Sequence, residues 1–333
     1  MSNINREQVL HKISNIAFND GKKLEHVVSN IIIKDKDLGF AIDIAGYSQE
    51  DAELVRAQAI KKISEIPNIG RITIILTSSV DSKETQIRTK AKAKYFIEGV
   101  KKVILVAAGK GGVGKSTIAS LIAEHLKFDG YKVGIVDADI YGPSIPKIFG
   151  INQKPDIIDK RIIPIKSRGV EIISIGFLLE EGTTIAWRGP MASKAIYQLL
   201  SLSKWDNLDY LIIDMPPGTS DIHLSILENY KLDGAIIVTT PQKIAEIDVR
   251  KTIELYKKFN LPILGIIENM SYYIMPNAEQ PIQIFSGDSG SSLSKEYSIP
   301  LICQLPISPK LAKACDQGLP LTNIIDFPIN KFI

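Results

Sequence analysis

The chain has 333 residues, 45% of them hydrophobic and 23% charged, with a formal net charge of +3. This composition argues against an intrinsically disordered chain, leaves room for a sizeable core in more than one domain, and gives no electrostatic case for a nucleic-acid or anionic-membrane partner. Two cysteines argue against a disulfide framework; with no apolar run near the ~18 residues of a membrane span and no signal-peptide core after Met1, they point to the reducing cytoplasm.

Residues 5 to about 78 read as a small α/β unit. The pattern gives a helix near 7–17, strands at 26–34 and 39–45, a helix at 50–65 and a strand at 71–76. The second helix is the clearest, because Ala52, Val55, Ala59, Ile60 and Ile63 make one apolar stripe at helical spacing. His11 and His26 have no ligand-spaced neighbours and read as surface or partly buried side chains. From Val80 to Lys101 the composition turns to charged and small residues, the mark of a linker. The expected organisation is a small domain over 1–79, a linker over 80–100 and a larger domain over 101–333.

The larger domain opens on a continuous apolar, β-branched run at 102–108, as a strand buried on both faces of a parallel sheet requires. It leads into Gly109-Lys-Gly-Gly-Val-Gly-Lys-Ser-Thr117, which fits G-x-x-x-x-G-K-S/T from Gly109 to Ser116. Helical spacing of Ile118, Leu121, Ile122 and Leu126 follows, with Gly130 as a stop. Strand, glycine loop and helix are together the context in which this motif binds phosphate. The glycines at 109, 111, 112 and 114 let successive backbone N–H groups turn towards an anion, and the helix N-terminus adds its partial positive charge. The expected nucleotide-binding residues are Gly109, Lys110, Gly111, Gly112, Val113, Gly114, Lys115, Ser116 and Thr117, with Lys115 on the phosphates of ATP and Ser116 on Mg²⁺.

Residues 132–139 read as a second buried strand ending in Asp137 and Asp139, at the edge where open parallel sheets bind ligands. Carboxylates there can hold a Mg²⁺ shell or orient water; capping of the next helix is the competing role. Short β-rich runs occupy 161–177, and 191–205 reads as a helix. The strand 210–214 is another buried strand ending in an acid, Asp214, and Pro216-Pro-Gly-Thr219 suits a segment that moves when a γ-phosphate leaves. A strand at 234–240, a helix at 244–259 and a strand at 262–267 repeat the β-α-β pattern. The fold class is therefore α/β, a mostly parallel, doubly wound sheet preceded by the small α/β domain.

Lys110 lies inside the glycine loop although one subunit does not need it to cradle phosphate. K-G-G-x-G-K-S/T resembles the deviant Walker A loop of the family that includes MinD, ParA and the nitrogenase iron protein. G-K-G-G-V-G-K-S-T from Gly109, V-D-A-D-I-Y-G-P-S from Val136, W-R-G-P-M from Trp187, D-M-P-P-G-T from Asp214 and E-N-M-S from Glu268 follow one another in order. On these motifs the chain resembles the Mrp/ApbC family of iron-sulfur cluster carrier ATPases, over about 99–320 and more loosely over the small domain. The resemblance implies a homodimer in which Lys110 reaches the partner's phosphates and Asp137 positions the attacking water. It implies Mg²⁺ held by Ser116, with Asp137 and Asp214 behind water, and adenine bonded by Asn269 near Pro306. Slow ATP hydrolysis, an iron-sulfur scaffold and apoprotein clients complete the implied activity.

Many members of that family continue from E-N-M-S into a C-x-x-C pair that bridges a cluster between subunits. Here Met275 and Ala278 align with those cysteines. Cys303, in an apolar strand, and Cys315, on a helix, stand outside metal-ligand spacing and read as buried thiols, so no iron-sulfur ligand is identified. Four functions stay open: a cluster carrier, a cluster-free nucleotide-switched helper, a MinD/ParA-like positioning ATPase and a nucleotide-regulated binding protein. The tail over 321–333, interrupted by Pro328, argues against a membrane helix.

Overall fold

Contacts divide the chain into two units, Met1–Thr89 and Lys90–Ile333. The computed structural model describes residues 6–34, 36–44, 46–67, 69–77, 94–178, 189–276 and 280–329. Most of the expected linker, 80–93, lies outside them.

In the first unit, helix α1 (Arg6–Ile13) precedes strands β1 (Val28–Lys34) and β2 (Asp37–Asp43), helix α2 (Gln49–Ile63) and strand β3 (Ile72–Thr77). β1 and β2 pair antiparallel, and α2 carries the chain over to β3, which lies parallel to β2. α2 starts where Ser48 caps it, its hydroxyl accepting from the Asp51 amide at 3.2 Å. Its stripe of Ala52, Val55, Ala59 and Ile63 is buried, the last three in one core with Phe40, Ile42 and Ile74. α1 ends four residues short of the expected helix, because the Ile16 amide turns back to the Ile13 carbonyl.

The second unit begins with β4 (Val100–Ala108), α3 (Lys115–Phe128), β5 (Val133–Asp137) and the short α4 (Ile145–Ile148). The β-rich stretch resolves into β6 (Ile157–Ile158), β7 (Arg161–Ile162), β8 (Ile165–Ser167) and β9 (Val170–Ser174). Then follow α5 (Gly189–Leu202), β10 (Leu208–Asp214), α6 (Asp221–Asn229), β11 (Gly234–Thr239), α7 (Lys243–Lys258), β12 (Ile263–Tyr272), α8 (Ser289–Tyr297), β13 (Leu301–Pro306) and α9 (Pro309–Gln317). Eight strands form one sheet in the order β13-β12-β11-β4-β10-β5-β9-β8, parallel except for β8. This is the mostly parallel α/β sheet that the apolar runs predict. Helices on each face give two cores, one with side chains of α3, α4 and α9, the other with those of α5, α6 and α7.

β4 sits between β11 and β10, and the chain leaves it for β5, beyond β10. The central position of β4 brings the carboxyl ends of β4, β5 and β10 to one edge, where such sheets bind ligands. In the larger unit α5 ends at Leu202, three residues before the expected helix end, and β12 runs past its own. β12 does not stop at Ile267 but runs on to Tyr272, with Met270 at φ +57° and a break in its pairing with β13 between Glu268 and Tyr272. Asn269 is thus inside the strand, at its irregular step. Among the described residues, no helix is long and apolar enough to cross a membrane.

A buried ion pair ties the far side of α3 to the C-terminal segment. Glu124, 4% exposed, meets Arg168 Nη1 at 2.8 Å and accepts from the Leu321 amide at 2.7 Å. Arg168 also donates to the Ile148 carbonyl at 2.6 Å and lies over the Phe149 ring. Glu124→Ala leaves the Leu321 amide without its acceptor and Arg168 without its counter-charge, and should cost the larger unit about 3 kcal/mol in denaturant unfolding. Lys12→Ala, which removes only the exposed pair with Glu65, should cost under about 1 kcal/mol.

Candidate functional site

Ala107 and Ala108 bring β4 to its end fully buried, and the loop from Gly109 to Gly114 then turns into α3. Two of its glycines are required by what surrounds them. A Cβ at Gly109 would collide with the backbone of Asp248 and Val249 on α7, and one at Gly114 would collide with the Asn269 amide. Gly114 also sits at φ +86°, a left-handed conformation that side chains disfavour. Val113 is buried beneath the loop, and its carbonyl accepts from Asn269 Nδ2 at 2.9 Å. The loop is therefore clamped from both sides, by α7 and by β12.

Below the loop lies a group of buried charges. Lys115, 6% exposed, places Nζ 2.7 Å from Asp214 Oδ1, 3.4 Å from Asp139 Oδ2 and 3.4 Å from Ser116 Oγ. Burial draws the ammonium pKa down, but the charges of Asp214, Asp139 and Asp137 outweigh it and hold Lys115 protonated. Asp214 is fully buried and its pKa is raised, chiefly by burial and against the opposing pull of Lys115. Its second oxygen, Oδ2, is buried with no hydrogen-bond partner in the protein.

A cleft of about 470 Å³ opens above these charges. Lys110, Lys115, Ser116, Thr117, Asp139 and Pro217 line it, together with loop glycines and the Tyr141 to Ser144 turn. Asp137 does not. Its carboxylate is fully buried and accepts from the amides of Ser144 at 3.0 Å, Ile145 at 3.1 Å and Asp139 at 3.2 Å, and from the Ser174 hydroxyl at 3.0 Å. The geometry is that of the competing role, a cap on the first turn of α4. The water-orienting position expected for Asp137 is thus sealed from the cleft, whereas Asp139, two residues on, faces it.

The remaining expected site residues are spread further. Lys110 is partly exposed and lies 3.7 Å from Asp248 on α7, a partner that sequence spacing did not suggest. Asn269 braces the loop from behind, and neither it nor Pro306 lines the cleft. Pro306 ends β13, in register with Tyr272. Gly218 and Met215 hold the segment after Asp214 against β4 through the carbonyls of Ala108 and Val106. Met275 is 44% exposed, while Ala278 and the Trp187-Arg188 pair lie outside the described residues. Cys303 packs beside the core in β13, in register with Ile267, and Cys315 on α9 comes within 3.9 Å of the Thr117 hydroxyl.

Residues 99–329 match the family described as ParA, NUBPL iron-transfer P-loop NTPase. The chain belongs to this family. It is 58% identical to the iron-sulfur cluster carrier protein of Rickettsia conorii over 333 residues, the whole of both chains. It is 38% identical to the protein of that name from Aquifex aeolicus over 289 residues, 81% of this chain and 78% of the relative. Among solved structures, the nucleotide-binding protein of Archaeoglobus fulgidus in complex with ADP is 36% identical and superposes with a TM-score of 0.63, covering 71% of this chain and 94% of that one. As a P-loop NTPase the chain is nucleotide-binding, and residues Gly109 to Ser116 carry the G-x-x-x-x-G-K-S/T pattern.

The P-loop NTPase charge group has a pH signature. Burial first, and the Asp214 charge second, push the Asp137 carboxyl up to about 7, against the donors Ile145 and Ser174 and the nearby Lys115. An unfolded aspartate ionises near pH 4, so between about pH 4 and 7 the folded chain holds a proton that the unfolded chain has lost. Stability of the nucleotide-free protein should therefore fall as pH rises through that window. Asp137→Asn should flatten the slope in denaturant unfolding, and an unaltered slope would remove Asp137 as its source.

Proposed function

We propose that this chain is an ATP-hydrolysing iron-sulfur cluster carrier that works as a homodimer in the cytoplasm, receiving clusters from a scaffold and delivering them to apoproteins. The observation that carries the hydrolytic reading is the buried Lys115 ammonium, held between Asp214 and Asp139 directly behind a glycine loop. That arrangement offers backbone donors and one fixed cation to a triphosphate, with carboxylates behind for a metal. Ser116 would hold Mg²⁺ directly, with Asp214 acting through water, while Asp137, expected beside it, is enclosed away from the cleft. The unpartnered Asp214 Oδ2 is a buried acceptor that fits the hydrated ion. Mg²⁺ in such a site neutralises charge on the β and γ oxygens.

The protein's own groups divide the remaining work. Lys115 binds the phosphates. Asp139, the acid on the cleft wall, takes the water-orienting role rather than the enclosed Asp137, which builds the turn carrying Asp139 into place. Asn269 uses its amide on Val113, which leaves the side-chain oxygen to accept from the adenine amino group, with Pro306 flanking the base. Lys110 is stationed at the surface by Asp248 and acts on the partner's phosphates. The second copy is supported by Ile244 and Ile247, 62% and 56% exposed on α7 around Asp248, apolar surface that association would cover.

Carriage of clusters is supported by the names of the relatives. A second reading, a cluster-free helper, is favoured by the donors. Burial, with a smaller effect from Asp326, pushes the Cys303 thiol up to about 12, and burial raises Cys315 as well. Both therefore resist forming the thiolates that bind iron. Among the described residues, no group of three or more His, Cys, Asp or Glu is placed to hold a metal.

Lys110→Ala should keep ATP binding and lower turnover on the order of 10³-fold, as loss of a trans-acting cation does, whereas Lys115→Ala should lose binding as well. Normal turnover in the first variant would remove the trans role of Lys110. Anaerobic reconstitution with iron and sulfide, read by visible absorbance and iron per chain, separates the two functional readings. A cluster that persists in the wild type and is lost in the Cys303→Ser, Cys315→Ser double variant supports carriage through these thiols. No cluster beside intact ATPase activity supports the helper.

A further inference from the structure

Below the segment that lines the cleft, the chain leaves several hydrogen bonds unmade. Ser220 is the N-cap of α6, yet its hydroxyl makes no cap bond and is buried without a partner. His223, one turn into α6, is fully buried, and neither ring nitrogen has a partner in the protein. Across from it on α7, the hydroxyl of the fully buried Tyr256 is equally unpartnered. The two ring centroids stand 6.2 Å apart with 31° between their planes, so the two unpartnered side chains are neighbours. Among the described residues, no other buried side chain leaves two polar atoms without a partner.

Groups of this kind are normally bonded, and apolar residues of the same shape would serve a fixed packing better. Here the unmade bonds gather at one joint, and its location is informative. Pro217 lines the cleft and Gly218 is held to the end of β4, so the chain from 215 to 220 connects the phosphate site to the start of α6. Gly218 at φ +78° and a helix start lacking its side-chain cap leave α6 weakly fixed at that end. Burial, and then the Lys115 charge, depress the His223 pKa to about 4, so the ring stays neutral with one donor and one acceptor.

We propose that His223 and Tyr256 form a latch: their hydrogen bond, not made in the arrangement described, closes when ATP in the cleft draws segment 215–220 and α6 into a second position. His223 and Tyr256 are then positioning residues that favour the triphosphate-bound state. The latch rests on the reading of the cleft as an ATP site.

The test is a double-mutant cycle with Tyr256→Phe, which keeps the ring shape, and His223→Leu. Binding of a non-hydrolysable ATP analogue with Mg²⁺, binding of ADP, and thermal unfolding without nucleotide are measured for all four proteins. Each single variant should bind the analogue roughly tenfold more weakly, and the double variant no more weakly than either, because one hydrogen bond is lost in all three. ADP binding should be unchanged, and without nucleotide neither variant should unfold at a lower temperature. Additive losses for the analogue, or the same coupling without nucleotide, would overturn the latch. Failure of the unmodified chain to bind the analogue overturns the ATP reading and the latch with it, whereas normal binding without coupling overturns the latch alone.

Discussion

An ammonium removed from water needs carboxylates to hold it, and in this chain they come from two different strands. Lys115 begins α3, Asp214 ends β10, and Asp139 follows β5. The sheet order places β10 between β4 and β5, so this contact exists only when all three strands are in register. Register, loop and charge cluster are thereby one construction. Burial is the main cause of the raised pKa values of Asp137 and Asp214, and repulsion from the neighbouring carboxylates adds to it.

The residues around the cleft divide by access rather than by type. Asp137 and Asp139 are separated by one residue, yet one is saturated by four donors and the other opens to the cleft. Asn269 and Glu268 show a related division. Glu268 is buried and bonded to Ser271, Gln304 and the Gly290 amide, which fixes the irregular end of β12, and Asn269 then reaches the loop at Val113. The phosphate loop is thus braced from a strand two places away in the sheet. Its other side is closed by α7, whose Asp248 also engages Lys110, so the loop and its surface lysine depend on one helix.

The family is named for iron transfer, and the nucleotide half of that name has its residues in place around the cleft. For the metal half, no group of three or more His, Cys, Asp or Glu among the described residues is placed to hold a metal. Two half-buried thiols with raised pKa values lie beside the core, and the exposed segment at Met275 carries a thioether. A thioether cannot become the charged thiolate that an iron-sulfur cluster requires.

The sequence by itself determined the class of fold and the glycine loop between β4 and α3. Continuous β-branched runs can only be buried strands, helical spacing identifies their covering helices, and glycines before Lys115 and Ser116 leave the backbone few alternatives. Those signals are local, and local chemistry survives folding. The role of each acid did not follow, because Asp137 and Asp139 are equivalent in one dimension and differ only in which side of a turn they face. The same holds for Lys110 beside Asp248, separated by 138 positions in the chain, and for His223 against Tyr256 on a neighbouring helix. Tertiary structure decided these, since burial and partner choice are properties of how elements pack and are carried by no single stretch of sequence.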